Sequence, residues 1–119
     1  MQSVYSPKIC ESLPIVLGAV GCSVIETTVA AVYAVPVREI RTTSRGNASV
    51  AQARQVAMYL AHVALGLNYS AVGRAFGRDR TTVAHACRLV EDRRDDPCTD
   101  DLLNTLEQGL GGLAQQVRT

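Results

Sequence analysis

Residues 68–94, NYSAVGRAFGRDRTTVAHACRLVEDRR, decide the fold, because they predict two short helices joined by a tight turn. The side chain of Asn68 or Ser70 can cap the first helix, which is expected to run through Phe76. Gly77 follows, and glycine adopts the left-handed backbone of a sharp turn without steric cost. A second helix is therefore expected to begin immediately after the turn.

The second helix of this pair has one apolar side and one polar side. Asp79 is well placed to cap it, and we expect it to end near Arg94. At about 100° per residue, the apolar side consists of Val83, Ala86, Cys87 and Val90. The opposite side carries Thr81, His85, Arg88 and Asp92, with Arg80 in the first turn. This pattern is typical of a helix-turn-helix, whose second helix enters the major groove of DNA and meets base edges with its first residues.

Helical patterns also precede this pair. Ser23-x-x-Glu26 has the form of a capping box, which predicts that a helix begins there. The side chains expected in its buried stripe are Ile25, Val29 and Val32. Val35-Pro36 is expected to stop that helix, and Pro36 can begin a short helix that runs through Ile40.

A polar loop, residues 42–49, separates these elements from a longer helix. That helix is predicted from about Val50 to Leu65, and Gly66 is expected to end it. Its buried face is predicted to consist of Val56, Leu60 and Val63. The polar side chains expected to lie away from that face are Gln52, Arg54, Gln55 and His62.

A last helix is predicted after Pro97. Its apolar residues alternate three and four apart, as in a packed helical seam: Leu103, Leu106, Leu110, Leu113 and Val117. Such a helix can dock on the domain, pair with a second chain to form a homodimer, or fray, and docking is the simplest expectation. The predicted organisation is an all-α small helical bundle, with an N-terminal arm (1–22), a helix-turn-helix domain (23–96) and an acidic C-terminal helix (97–119).

The N-terminal arm contains a stretch that superficially resembles a lipoprotein signal ending at Cys22. Its apolar run is interrupted by Pro14, Gly18 and Gly21, and Glu11 stands where such a signal carries positive charge. The run is also too short for a transmembrane helix. We therefore expect a loosely ordered arm whose apolar residues lie against the domain, with no membrane association, in a cytoplasmic protein.

Charge is distributed unevenly along the 119 residues, although the net charge is only +1. Residues 38–94 contain ten arginines against four acidic residues, whereas residues 95–119 contain five acidic residues and one arginine. A basic centre predicts an anionic partner for the middle of the chain. Arg93-Arg94 stands beside Asp95-Asp96 and is interpreted as a solvated helix end that neutralises itself.

Residues for catalysis or metal binding are not brought together by any pattern in this sequence. The four cysteines (10, 22, 87 and 98) form no C-x-x-C pair and have no zinc-site spacing to His62 or His85. We expect them to be reduced and structural. No Ser/His/Asp or paired-carboxylate arrangement is present either, so we expect neither an enzyme nor a bound cofactor.

The helical pair and the helix before it together resemble a known family. Residues 53–86 read ARQVAMYLAHVALGLNYSAVGRAFGRDRTTVAHA. This closely resembles the C-terminal DNA-binding domain of the bacterial chromosomal replication initiator DnaA, which shows A/P-R-Q-x-A-M-Y/A-L, I/V-G-x-A-F-G and R-D-H-T-T-V-x-H-A in this order. The resemblance extends from about Ser23 to about Asp96. It implies a Trp-repressor-like helical domain that binds double-stranded DNA at short initiator boxes.

The resemblance also implies roles for individual residues. Arg54 and Gln55 occupy the R-Q pair of a helix that faces the DNA, and Arg54 is expected to neutralise a phosphate. Thr81 and Thr82 are expected to bond a base edge or to touch a thymine methyl group. The complete set of predicted DNA-binding residues is Arg45, Arg54, Gln55, Arg78, Asp79, Arg80, Thr81, Thr82, His85 and Arg88.

This sequence departs from the family pattern at three places. Arg80 replaces the histidine of D-H-T-T, which favours contact with guanine N7 and O6 or with another phosphate. The usual double glycine of the turn is reduced to Gly77 alone, which is expected to re-aim the recognition helix. The arginine that the family places in the minor groove is replaced by Gly46, with Arg45 beside it.

Two functions remain open from the sequence. In the first, the protein is a sequence-specific, nucleoid-associated DNA-binding regulator of replication initiation or transcription. We expect this regulator to lack the initiator's motor, because no G-x-x-x-x-G-K-[ST] phosphate loop occurs in the sequence. In the second, it is an interaction module that resembles the initiator and binds the initiator's regulatory partner proteins through its acidic tail and leucine seam.

Overall fold

The computed structural model describes the backbone of residues 7–42 and 47–118 and the side chains of residues 18–42 and 47–112. The described residues form six helices and no strand, which confirms the predicted all-α class. The helices are α1 (Pro7–Tyr33), α2 (Val37–Ile40), α3 (Ala48–Val63), α4 (Tyr69–Phe76), α5 (Arg80–Arg93) and α6 (Pro97–Arg118).

Helix α3 is the centre of the bundle and contacts each of the other five helices. Its buried residues include several alanines, and small side chains let neighbouring helices approach its axis closely: Ala53, Ala57 and Ala61. Val56 and Leu60 are buried as predicted, but Val63 is 39% exposed. The prediction for Val63 is therefore wrong, and α3 ends at this residue, two positions earlier than expected.

Helix α1 begins at Pro7, so the predicted start at Ser23 is wrong. Ser23 lies in the helix interior, and Glu26 forms an ion pair with Arg41 instead of closing a capping box. Gly21 does not interrupt the helix but lets it approach the rest of the bundle, because a Cβ there would lie 2.7 Å from Leu65 Cδ1. The boundary predicted between residues 22 and 23 therefore falls inside α1, and residues 1–6 of the predicted arm lie outside the described residues.

The buried side of α1 also differs in one position from the predicted stripe. Ile25 and Val29 are fully buried, but Val32 is 44% exposed. Tyr33 packs partly against the core in its place. Residues 25, 29 and 33 are spaced by four, so the stripe follows a single i, i+4 row, and position 32 lies about 60° from the centre of that row.

The predicted turn chemistry of the helical pair is confirmed. Asn68, not Ser70, caps α4, and its side chain accepts a hydrogen bond from the backbone N–H of Ala71 at 2.8 Å. Gly77 ends α4 in the left-handed conformation, with φ of 67°. Asp79 caps α5 by accepting from the backbone N–H of Thr82 at 2.7 Å. These local contacts fix where both helices begin and end.

The turn passes unusually close to α4. A Cβ on Gly73 would lie 2.4 Å from the backbone oxygen of Arg78, so only glycine fits at this position. The backbone N–H of Arg78 donates in turn to the carbonyl of Gly73 at 2.8 Å. Gly73 therefore allows the three-residue turn to fold back on α4 and sets the approach of α5.

Helix α6 docks on the domain, as the simplest expectation had it. Leu103 and Leu110 are buried and Leu106 packs partly against the core, while α6 contacts α1 and α3. The side chains of Leu113 and Val117 lie outside the described residues. Three members of the predicted seam thus face the protein's own core.

Arg94 attaches α6 to the rest of the bundle. Its guanidinium donates to Asp100 at 2.6 Å and to the Tyr59 hydroxyl at 2.8 Å, and it also pairs with Glu107. The interpretation of Arg94 as a solvated helix end is therefore wrong. Asp100 and Glu107 sit one turn and three turns into α6, so the acidic helix supplies the countercharge that the sequence pattern had assigned to Asp95-Asp96.

Candidate nucleic-acid interface

The two sides of α5 are separated as the sequence predicts. Val83, Ala86, Cys87 and Val90 are buried against the bundle. The exposed residues of the predicted set on α5 are Arg80, Thr81, Thr82, His85 and Arg88. Residues 81, 85 and 88 follow the i, i+4, i+7 spacing of one helix face. The structure therefore exposes five of the predicted DNA-binding residues on α5, three of them on one helix face and Arg80 and Thr82 to either side of it in the first turn, and we name this set the α5 face.

Asp79 holds the first turn of α5 in place. Its carboxylate accepts from the backbone N–H of Thr82, and this bond, with weaker ones from the Thr82 hydroxyl and the Thr81 backbone, lowers the pKa of Asp79. A carboxylate occupied in this way acts as a helix cap. It fixes the positions from which Arg80, Thr81 and Thr82 project.

Arg78 belongs to the framework of the turn. Its Nη2 donates to the backbone carbonyl of Thr42 at 2.6 Å, and the side chain is half-buried. This bond joins the turn between α4 and α5 to the segment that follows α2. The structure thus places Arg78 beside the α5 face, with its guanidinium turned towards the protein.

Arg54 is buried, with only 8% of its surface exposed. Its Nε donates to the carbonyl of Ile40 and its Nη2 to the carbonyl of Glu39, both at 2.9 Å. Burial, and then the nearby Arg78 charge, lower the pKa of Arg54, whereas Glu39 opposes the shift. The prediction that Arg54 points away from the buried face is wrong, and the structure does not bring it to the surface with the α5 face.

Gln55 is also engaged inside the protein. Its Oε1 accepts from Nη2 of Arg93 at 2.6 Å, and this bond joins α3 to the last turn of α5. Arg45 lies outside the described residues, so the structure does not place it. Of the ten predicted DNA-binding residues, five therefore form the exposed α5 face, and Asp79 caps the helix that carries them.

Two exposed arginines were missed by the sequence reasoning. Arg38 on α2 and Arg74 on α4 are exposed; α4 leads into the turn, and the segment that follows α2 is bonded to the turn through Arg78. Within the described part of the chain, four exposed arginines make no hydrogen bond or ion pair: Arg38, Arg74, Arg80 and Arg88. For Arg74 the signal was present, because it stands in the first helix of a helix-turn-helix, which crosses the DNA backbone.

The described cysteine and acidic side chains do not form a metal-binding site. Cys22 and Cys87 are buried free thiols, and burial raises the pKa of Cys87 to about 11. Among residues with described side chains, no cluster of three or more His, Cys, Asp or Glu could hold a metal ion. Within the same residues, no helix has the length and apolar character needed to cross a bilayer.

Comparison with known proteins gives consistent matches for the same region. A sequence model of the family described as bacterial dnaA protein helix-turn-helix matches residues 22–90. The chromosomal replication initiator protein DnaA of Paraburkholderia phymatum is 40% identical over 90 residues, which are 74% of this chain and 17% of that protein. The corresponding protein of Azoarcus sp. is 42% identical over 71 residues, 59% of this chain and 15% of that protein.

A solved structure supports the same relationship. The crystal structure of a DNA replication initiation factor superposes with a TM-score of 0.73 at 32% sequence identity, covering 82% of this chain and 30% of that chain. This chain thus spans less than a third of that chain and about a sixth of the two initiators.

Proposed function

Because the chain belongs to the family of bacterial DnaA helix-turn-helix domains, we propose that it is a sequence-specific reader of double-stranded DNA. We further propose that it regulates replication initiation, or transcription, from sites related to initiator boxes, and that it is nucleoid-associated. The observation that carries the proposal is the α5 face, where five polar and cationic side chains are exposed at the start and along one side of a capped helix.

In this function the first turn of α5 approaches the major groove. The positive end of the helix dipole, at the N-terminus of α5, favours the negatively charged surface of DNA. Arg80 presents a planar fork that matches guanine O6 and N7. Thr81 and Thr82 bond a neighbouring base edge or contact a thymine methyl group, while His85 and Arg88 lie further along the same face and contact phosphates.

Other residues support this approach from outside the groove. Arg74 lies on α4, which leads into the turn, and Arg38 lies on α2, whose following segment is bonded to the turn through Arg78; we assign both of them phosphate contacts. Arg54 and Arg78 do not contact DNA in this proposal. Their hydrogen bonds hold residues 39, 40 and 42 against α3 and the turn. Contacts to phosphate fix the orientation of the protein on the duplex, and contacts to base edges discriminate between sequences. Sequence specificity is therefore expected to depend most on Arg80.

Replacing Arg80 by alanine is expected to remove sequence preference. A lost bidentate contact to guanine costs about 1–3 kcal/mol, or roughly 5- to 150-fold in affinity, on the preferred site only. The measurement is a fluorescence-anisotropy titration of an initiator-box duplex and a scrambled duplex. Before the variants are compared, the box is varied one base pair at a time, because Arg80 replaces the family's histidine and is expected to select guanine.

Arg74→Ala is the matched control, because it removes an exposed arginine from the neighbouring helix. We expect it to weaken binding to both duplexes by the same factor, as loss of a phosphate contact does. An Arg80→Ala protein with unchanged preference between the two duplexes would refute the assignment of Arg80. Equal binding of both duplexes by the unaltered protein would place specificity outside the α5 face.

The second function, an interaction module for the initiator's partner proteins, rests on the acidic C-terminal helix. Asp101 is exposed there, as are Asp95 and Asp96 just before it. Leu103, Leu106 and Leu110, which were proposed for the partner surface, pack against the core, however, and Arg94 engages Asp100 and Glu107. This function is favoured over DNA binding only if the protein binds neither duplex at low salt.

A further inference from the structure

The side of α1 that faces away from the bundle has an unusual composition for an exposed helix surface. Between Ser12 and Val37 the only charged residue is Glu26, which is buried and paired with Arg41. The exposed side forms a shallow groove lined by Ala19, Val20, Ser23, Val24, Thr27 and Thr28, and we name this surface the α1 face. Val20, with 54% of its surface exposed, is the most exposed large apolar residue of the described chain.

The two threonine hydroxyl groups on the α1 face are satisfied within the helix. Thr27 donates to the carbonyl of Ser23 at 3.0 Å, and Thr28 donates to the carbonyl of Val24 at 2.7 Å. These bonds satisfy both donors within the helix, so the methyl groups are left to meet a partner. Residues 19, 23 and 27 are also small and spaced by four, which lets a second helix approach closely.

We propose that the α1 face is the interface between two copies of this chain. A two-fold symmetric interface places the same patch on both sides, so any net charge on it would oppose itself. The residues that line the α1 face carry no charge, so two copies would not repel each other there. The apolar surface of one copy would be complementary to the same surface of the other. DNA is unsuited to this face, because no cation is present to neutralise phosphate. A bilayer surface is also disfavoured, because membrane-lying helices of this kind carry basic residues beside the apolar face.

Pairing through α1 is compatible with the α5 face. Helix α5 packs on α3 and α4, and the α1 face lies on the side of α1 turned away from the core. A dimer would therefore carry two α5 faces. If the proposed DNA-binding function holds, on which this consequence rests, closely spaced sites would be bound more tightly than single ones through effective concentration.

The test is sedimentation equilibrium of the full chain without DNA, over protein concentrations from micromolar to several hundred micromolar. The unaltered protein is expected to approach twice the monomer mass as concentration rises. Val20→Glu is expected to weaken the association on the order of a hundredfold, because symmetry brings two carboxylates together in an apolar interface. Thr27→Glu is the second variant and is expected to act in the same direction.

Val37→Glu is the matched control, since Val37 is 48% exposed but lies on α2. It is expected to leave the association unchanged, and circular dichroism confirms that each variant is folded. A monomer at every concentration overturns the proposal, as does equal weakening by Val20→Glu and Val37→Glu. Pelleting with phosphatidylcholine vesicles that Val20→Glu abolishes would assign the face to a bilayer surface, which also overturns it. Because DNA is absent, none of these outcomes depends on the proposed DNA-binding function.

Discussion

Replacing Gly73 by alanine is expected to destabilise the domain by about 3 kcal/mol or more, and to abolish DNA binding with it. An added Cβ would lie 2.4 Å from the backbone oxygen of Arg78, a distance at which the turn must move. The atom in the way is backbone, so no side-chain rotation relieves the clash. Moving the turn breaks the hydrogen bond from the Arg78 N–H to the Gly73 carbonyl and displaces the start of α5.

Gly109→Ala provides a control of opposite sign. Gly109 lies within α6, and an added Cβ there would meet no atom within 4 Å. Alanine is better than glycine in a helix interior by about 1 kcal/mol, so this variant is expected to be more stable than the unaltered protein. Urea denaturation followed by circular dichroism measures both. A Gly73→Ala protein as stable as the parent would contradict the close packing described for the turn.

Replacing Arg54 by methionine is expected to cost about 3 kcal/mol, because it leaves the carbonyls of Glu39 and Ile40 without their charged donor. Methionine keeps much of the volume of the arginine stem, so the effect reports the lost hydrogen bonds more than a cavity. For a domain of this size, that loss corresponds to a fall in Tm of about 10 °C or more.

This result separates two roles for Arg54. If Arg54 were a surface contact to phosphate, Arg54→Met would weaken DNA binding and leave Tm unchanged. Arg74→Met is the comparison, since it removes an exposed arginine and is expected to change stability by less than about 0.5 kcal/mol. Equal Tm values for the two variants would contradict the interior role of Arg54.

The local features of this fold could be predicted from the sequence. Asn68, Gly77 and Asp79 act on residues within three positions, so the sequence alone specifies both ends of the turn. The two sides of α5 follow from helical periodicity, and so does the shared exposed face of Thr81, His85 and Arg88. These parts of the candidate site can be predicted without knowing how the other helices pack.

The features that could not be predicted depend on contacts between distant residues. Gly21 marks a close approach only because Leu65 packs against it. A local sequence pattern does not show which distant residue will pack against a given position. Arg54 was assigned to the surface because it is charged. Its position three residues before Ala57 and seven before Ala61 places it beside the buried row of α3, and that spacing was the available signal. Its acceptors are backbone carbonyls, which every residue has.

The division of the arginines between interior and surface has a consequence for the thermodynamics of counterion release. Five of the ten arginines in residues 38–94 bond groups of the protein itself: Arg41, Arg54, Arg78, Arg93 and Arg94. Of the four exposed ones among the described residues, Arg38, Arg74 and Arg88 are assigned to phosphates, which gives a slope of log K against log salt of about −2.7, where ten phosphate contacts would give about −9. The complex is thus expected to tolerate salt far better than its arginine content suggests, since half of those arginines are engaged in bonds within the protein.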